Sequence, residues 1–248
     1  CEPQAIKRGV TRNAQRFEPW QVPVLTDDLH SHQPLCTLLL DHKFHFILTC
    51  KPESHEALYQ EIELLAGVEE GHHVLTTQRW TGRYYEQQTY RWVVQVPLRA
   101  TIDTLRVNWC EVTISRQDTG EQLYHSAWIT SHELTPKTVV EVVAAGRARW
   151  KIENEGFNVL KNQGSHFEHN YGHGQQHLAT VLLTLLFLAF LFHTVLHLSC
   201  PMYQTIRRAL GARRNFFNDL RALTRYFYFP SWDEMITFMF QKLELDTG

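Results

Sequence analysis

Arg149 and Glu153 stand four residues apart, and Phe157 and Lys161 continue the same step. A helix across this segment puts a guanidinium, a carboxylate, an aromatic ring and an ammonium on one stripe. A carboxylate flanked by two cations suits a divalent metal held against phosphate, because Mg²⁺ takes oxygen ligands and is usually bound by one or two carboxylates plus substrate phosphate. Arg149 would grip the phosphate through its planar fork and Lys161 as a point charge. The competing reading is a surface ion pair worth only about 0.3–0.5 kcal/mol. A second acidic position is Asp27-Asp28, directly after the apolar run at residues 22–26. Acids at the C-terminal end of a strand sit where open α/β sheets place their ligands. The same residues also cap helices and form turns, so both readings stay open.

The elements that must position these groups follow from periodicity. Residues 1–21 carry little pattern. Residues 22–26 and 44–50 are apolar runs of strand length, and residues 34–40 between them follow helical spacing, which together predict a β-α-β unit. A charged amphipathic helix is expected over 57–65. From 74 to 130 the texture changes to Trp, Tyr, Thr and Val in alternation, predicting strands at 74–77, 90–96, 105–114 and 124–130, with Asp118-Thr119-Gly120 as the hairpin turn between the last two. Thr135-Pro136 marks a helix start. Gly146 is expected to break or bend that helix, and a second helix is expected from about 147 to 162, stopped near Gly164. The fold class is α/β with an inserted antiparallel β region and an α-helical C-terminal part.

The chain has 248 residues, enough to bury a sizeable core in one or two domains. Its net charge of −2 means that any anion binding must come from local clusters rather than from the average. Five cysteines, Cys1, Cys36, Cys50, Cys110 and Cys200, are scattered with no C-x-x-C spacing, which fits a reducing compartment better than a disulfide framework or a zinc site. The sequence opens on Cys rather than Met.

Five segments carry a resemblance: TDDLHSHQPLC (26–36), FILTCKPESH (46–55), SAWITSHELT (126–135), GRARWKIENEGFNVLKNQG (146–164) and EHNYGHG (168–174). They resemble the DDE transposases of insertion sequences, in the branch with a β-rich domain inserted between the second Asp and the Glu. The resemblance implies a ribonuclease-H-like catalytic core, incomplete here, over residues 1–65 and 131–200, an insertion over 66–130, and a basic helical region over 201–248. It implies metal-dependent cleavage and strand transfer of element-end DNA, with Mg²⁺ or Mn²⁺ as cofactor, double-stranded DNA as partner, a homodimer in the DNA complex and a cytoplasmic, nucleoid-associated location. The family signature of Tyr, two residues, Arg, three residues, Glu, six residues and Lys maps Arg149 and Glu153 by spacing. Gly146 stands at the Tyr position, and Lys161 lies one residue beyond the Lys position, which is Leu160. The second Asp of the family falls at Asp27 or Asp28, with Asp27 preferred because it sits nearer the strand and three residues before His30. No Asp precedes Thr26. The first catalytic Asp is therefore expected upstream of this sequence, and the chain by itself is expected to be inactive.

DNA contact needs positive charge, and Arg207, Arg208, Arg213, Arg214, Arg221 and Arg225 form the densest basic stretch, with Asp219 against them. A solvated helix face explains the same pattern. Trp109 and Trp128, with Trp80 and Trp92, are candidates for stacking on a displaced base, and equally for a sheet core. His166, His169, His173 and His177 have metal-like spacing in a glycine-bearing polar loop, where hydrogen bonding or backbone contact with DNA is the expectation rather than zinc. The apolar run over 178–199 lacks Lys, Arg, Asp and Glu, and just reaches the roughly 20 residues that a spanning helix needs. A non-catalytic DNA-binding remnant and a small protein with one membrane-spanning helix are thus the alternatives to the enzyme.

Overall fold

Two short apolar strands seed the architecture: β1 (Val24–Thr26) and β2 (Phe46–Thr49) pair in parallel, with Val24 opposite Phe46 and Thr26 opposite Leu48. Parallel neighbours need a crossover. Here α2 (Gln33–Asp41) supplies it, with Pro34 in its first turn. The computed structural model describes residues 2–17, 22–68, 71–169, 172 and 174–245, so His173 lies outside the described residues. The chain divides into two units, Cys1–Arg149 and Trp150–Gly248, and each is described by itself.

In the first unit β3 (His73–Trp80), β4 (Tyr85–Pro97), β5 (Arg106–Arg116) and β6 (Gln122–Thr130) run antiparallel to one another, and β6 pairs with β2. The order β1-β2-β6-β5-β4-β3 makes one mixed sheet in a mixed α/β fold. The region expected as an insertion thus continues the sheet of β1 and β2 through hydrogen bonds.

Alternation across the pleat sorts the side chains. Phe46, Leu48, Val107, Trp109, Ala127 and Ile129 face one side, covered by α1 (Glu2–Phe17), α2 and α3 (Glu56–Ala66). Ile47, Cys110, Val112, Ile114 and Trp128 face the other, covered by α4 (Thr138–Ala148). A bulge between Val93 and Val96, where Gln95 takes φ 54°, keeps both valines on the first face although they are three residues apart. Helix α1 corrects the expectation of an unpatterned arm. Its apolar stripe is single file, Ile6, Val10 and Ala14, packed on the first core among Lys7, Arg8, Arg12 and Arg16.

The two tryptophans expected to stack on a base are core residues. Trp109 is 1% exposed and meets Tyr59 of α3 edge-on at 5.9 Å; Trp128 is 2% exposed and lies against Gly146. Neither has a face open to a nucleobase. A Cβ at Gly146 would lie 2.6 Å from Trp128 Nε1, so the indole takes the space that any side chain there would fill. Helix α4 runs through Gly146 to Ala148 without a break, which corrects the expected interruption. Gly is required there by close packing rather than by backbone conformation.

In the second unit a π-helical turn (Ile152–Phe157) leads into α5 (Asn158–Asn162). It is followed by α6 (Leu178–Ser199), α7 (Pro201–Leu210), α8 (Arg213–Tyr226) and α9 (Trp232–Lys242). Tyr203, Ile206, Phe216, Ile236 and Met239 form the core of α7–α9. Helix α6 is apolar all round, has no buried residue and is long and apolar enough to cross a membrane. Its last turns, however, belong to the α7–α9 core. Phe192 stands 5.2 Å from Trp232, His193 Nδ1 meets the Tyr203 hydroxyl at 3.1 Å, and Leu196 packs on the same cluster. Further back along the helix, Phe187 stands 6.1 Å from Phe167 and Arg213 lies over the Phe190 ring.

Replacing Gly146 by Ala should therefore destabilise the protein by about 1–3 kcal/mol through overpacking, even though Ala is the better helix former by about 1 kcal/mol. Urea unfolding measures this; a midpoint unchanged or raised would contradict the contact with Trp128.

Candidate functional site

Thr26 ends β1, Asp27 continues extended at φ −80°, ψ 178°, and Asp28 begins a 3-10 turn (Asp28–His30). The two neighbouring carboxylates have different work. Asp28 Oδ1 accepts the backbone N–H of Lys51 at 2.8 Å, and its Oδ2 accepts the Ser54 hydroxyl. Those donors belong to the 3-10 turn (Pro52–Ser54) that follows β2. Asp28 thus joins the C-terminal ends of the two parallel strands. The Asp27 side chain makes no capping hydrogen bond, and its Oδ1 is buried with no hydrogen-bond partner. His30 Nε2 stands 3.9 Å from Oδ1, beyond hydrogen-bonding range. The side chain as a whole is 48% exposed, so the rest of the carboxylate reaches solvent. An acceptor without a donor is costly to bury and is the atom a cation would satisfy.

Beneath the pair lies a polar cluster that looks hydrolytic at first glance. Ser31 Oγ meets His55 Nε2 at 2.7 Å, and the same Nε2 is 3.7 Å from Asp28 Oδ1. Ser31 already donates its one proton to the Asp28 carbonyl at 2.8 Å, so His55 must donate from Nε2 to Ser31. A base in that role has no lone pair for activating the serine. Ser31 is also 0% exposed. Burial, with the neighbouring His32, pushes the pKa of His55 below its usual value, although Asp28 pulls the other way. The neutral imidazole is therefore a strut under Asp28. Burial pushes the Cys36 and Cys110 thiols up to about 12 and raises Cys50 further, which leaves these thiols protonated and unsuited to nucleophilic work.

Arg149 follows α4 in the first unit, and its N–H bonds the Gly146 carbonyl at 3.3 Å. Glu153 lies in the π-helical turn of the second unit and is exposed. In a π turn the i and i+5 residues stand over one another, so the four-residue stripe expected from Arg149 to Lys161 does not hold through 152–157. Such turns are frequent at functional sites, and the four-residue step in the sequence gives no sign of one. Lys161 is exposed on α5 and pairs with Glu168 at 2.8 Å. Among the described residues no group of three or more His, Cys, Asp or Glu is placed to hold a metal.

The basic stretch splits by burial. Arg207 is 9% exposed, donates to the Ala212 carbonyl at 3.2 Å and lies over the Phe216 ring, which makes it a core residue and corrects its expected DNA contact. Arg213 is half-buried over Phe190. Arg208, Arg214, Arg221 and Arg225 are exposed. Steps of seven and eleven residues bring Arg214, Arg221 and Arg225 onto one face of α8. Arg221 donates to the Gly164 carbonyl at 2.7 Å, which anchors that face. No family model matches the chain, and a search of curated proteins finds no match.

Two outcomes follow for the first unit. Asp28→Ala should cost about 2–3 kcal/mol, the value of hydrogen bonds to a charged acceptor, while Asp27→Ala should stay within about 0.5 kcal/mol of the parent in denaturant unfolding. Equal losses would remove the division of labour. For His55 the folded pKa lies below the unfolded 6.5, so the unfolded chain takes up a proton first as pH falls. Its contribution is complete above about pH 6.5 and is lost as pH drops through the folded value. Thermal unfolding between pH 7 and 5 should show this loss, and His55→Gln should flatten it; the opposite slope would mean that His55 is held charged.

Proposed function

We propose that this chain contributes the second Asp, the Glu and the inserted β region of an insertion-sequence DDE transposase, an enzyme of metal-dependent phosphoryl transfer on DNA. The observation that carries the reading is Asp27: a carboxylate at the end of a parallel strand, with one buried oxygen lacking a donor, beside an Asp28 wholly engaged in holding strand ends. The β1-α2-β2 crossover with an acid at the end of β1 supports a ribonuclease-H-like reading, and the motif segments over 26–36 and 46–55 fall on it. Asp27 in the first unit and Glu153 in the second are each proposed as an oxygen ligand for Mg²⁺ or Mn²⁺, and the donor chemistry fits, since both are carboxylates and hard divalent cations prefer oxygen. When bound, such a pair of ions activates an attacking oxygen and stabilises the leaving one.

The chain's own residues have separate roles in that scheme. Asp28 and His55 keep the end of β1 in place, so that Asp27 stays aimed without contributing a ligand bond elsewhere. Arg149 presents a fork to the phosphodiester, and Lys161 exchanges Glu168 for a phosphate oxygen; the exposed pair it gives up is worth only about 0.2–1 kcal/mol. A DNA-binding role without catalysis rests on a different observation, the shared face of Arg214, Arg221 and Arg225 on α8.

Titration of the chain with Mn²⁺, followed by the free-ion electron paramagnetic resonance signal, tests the metal assignment. Asp27→Asn and Glu153→Gln should each weaken binding by about tenfold or more, the order expected for losing a carboxylate ligand. Binding by Asp27→Asn equal to the parent would sink the assignment. For DNA, affinity for duplex should fall with salt, and each of Arg214, Arg221 and Arg225 changed to Ala should reduce the log–log salt slope by about 1. An unchanged slope would leave α8 as a solvated helix.

A further inference from the structure

The second unit carries a pocket that neither the carboxylates nor the arginine face of α8 uses. On α6, Leu182, Leu186, Phe190 and His193 step at four, four and three residues and fall on one stripe, each of them half-buried. Leu185 and Ala189 line the pocket beside that stripe and are exposed. Helix α8 closes the other side through Arg213 and Phe217. The Arg213 guanidinium lies 6.0 Å over the Phe190 ring, and Phe217 meets the His193 ring edge-on at 4.9 Å. The chain after α5 supplies a third wall. Gly164 takes φ 101° and lies so close to α8 that a Cβ there would be 3.1 Å from Phe217 Cδ2, while Arg221 holds the Gly164 carbonyl at 2.7 Å; Ser165 is thereby set at the pocket wall. The space between the three walls is about 320 Å³, at the small end of the roughly 300–1,000 Å³ of small-molecule sites.

From Leu182 to His193 the stripe runs about 16 Å along α6. It is a long, mainly aliphatic wall with its charge at the Phe190–His193 end, where Arg213 stands. Arg213 makes no ion pair among the described residues, and the one acid on α8, Asp219, lies more than a turn and a half further along that helix. His193 adds no charge. Its Nδ1 meets the Tyr203 hydroxyl at 3.1 Å, and burial, with Arg213 and Arg207 nearby, pushes its pKa down to about 4. Arg213 is therefore the single charge among the lining residues of an otherwise largely apolar pocket. A guanidinium half removed from water and set against aliphatic side chains is best matched by an anion that carries an apolar body of its own.

We propose that this pocket binds a free alkyl monocarboxylate, with its carboxylate on Arg213 and its chain laid along Leu186 and Leu182. Such a ligand matches both parts of the wall. A bare inorganic anion leaves the leucines in water, and a neutral alkyl compound leaves the guanidinium unpaired. A carboxylate is also the acceptor that the planar fork of an arginine engages with two parallel hydrogen bonds. Because the ligand touches α6 and α8 at once, its binding stabilises the packing of the long apolar helix on the α7–α9 core. The inference goes beyond the phosphoryl-transfer reading and does not depend on it, since no residue lining the pocket is a proposed metal ligand or one of the three arginines of the α8 face.

The test is isothermal titration of the full chain with octanoate, kept below its micelle-forming concentration, in parallel with octanol and with acetate. Octanoate should bind and raise the thermal midpoint, while octanol, which has the chain without the charge, and acetate, which has the charge without the chain, should each bind about tenfold or more weakly. Arg213→Gln should weaken octanoate by about tenfold or more and bring it level with octanol, the order expected for losing a charge-assisted pair. Ala189→Trp changes an exposed position, fills the pocket and should abolish binding of both octyl compounds. A thermal midpoint unchanged in the absence of ligand verifies that each variant folds, and the comparison of octanoate with octanol on the parent needs no variant. Absence of octanoate binding, octanol or acetate binding as tightly as octanoate, or octanoate affinity that survives Arg213→Gln or Ala189→Trp overturns the inference. The Mn²⁺ and duplex titrations judge the transposase reading separately, whichever way this one falls.

Discussion

Asp28 ties the C-terminal ends of two parallel strands together, and the geometry around Asp27 follows from that bond. Three-residue β1 has one neighbour in the sheet and little of its own to hold its end in place. By accepting from Lys51 and Ser54, the Asp28 carboxylate stops the β1 end from fraying against the turn after β2. Neutral His55, wedged against Ser31 and Asp28, prevents the polar cluster beneath from collapsing or filling with charge. Asp27 is then free of structural duty, one oxygen turned inward without a donor and the rest of the carboxylate outward. Two adjacent aspartates differ in their partners because one is spent on the turn after β2.

The broad arrangement was legible in the sequence where a pattern has one physical meaning. The apolar runs of β1 and β2, the helical spacing between them, the alternation of β4 to β6 and the Thr135-Pro136 start of α4 all appear close to where periodicity put them. What failed did so for reasons that local pattern does not encode. Helix α1 hides because a single-file stripe of Ile6, Val10 and Ala14 is too narrow to stand out among arginines. Gly146 reads as a breaker, yet its smallness serves Trp128, a residue eighteen positions away. Arg207 looks like its neighbours in sequence and differs from them only by pointing into the α7–α9 core. The π turn at Glu153 leaves no periodic trace.

The candidate site was partly legible. Position alone favours Asp27 over Asp28 as a ligand; the hydrogen bonds add that Asp28 is the engaged one of the two and that Asp27 Oδ1 has no donor. The spacing of Arg149 and Glu153 is plain in the sequence, but a stripe inferred from that spacing assumes a regular α-helix, and Glu153 lies in a π turn. The aromatic expectation went to Trp109 and Trp128 because nothing in a strand's alternation separates a core tryptophan from a surface one; burial does, and it leaves Trp80. The charge is similarly narrowed, from a block of six arginines to exposed Arg208 on α7 and one exposed face of α8.

The central proposal is that Asp27, the carboxylate with an orphaned buried oxygen, holds a divalent ion. Fe²⁺ substituted for Mg²⁺, with ascorbate and peroxide, cuts a backbone next to the ion it replaces. The account predicts cuts beside residues 26–28, suppressed by excess Mg²⁺ and lost in Asp27→Asn. No cut at that place, or a pattern indifferent to Asp27, would contradict it.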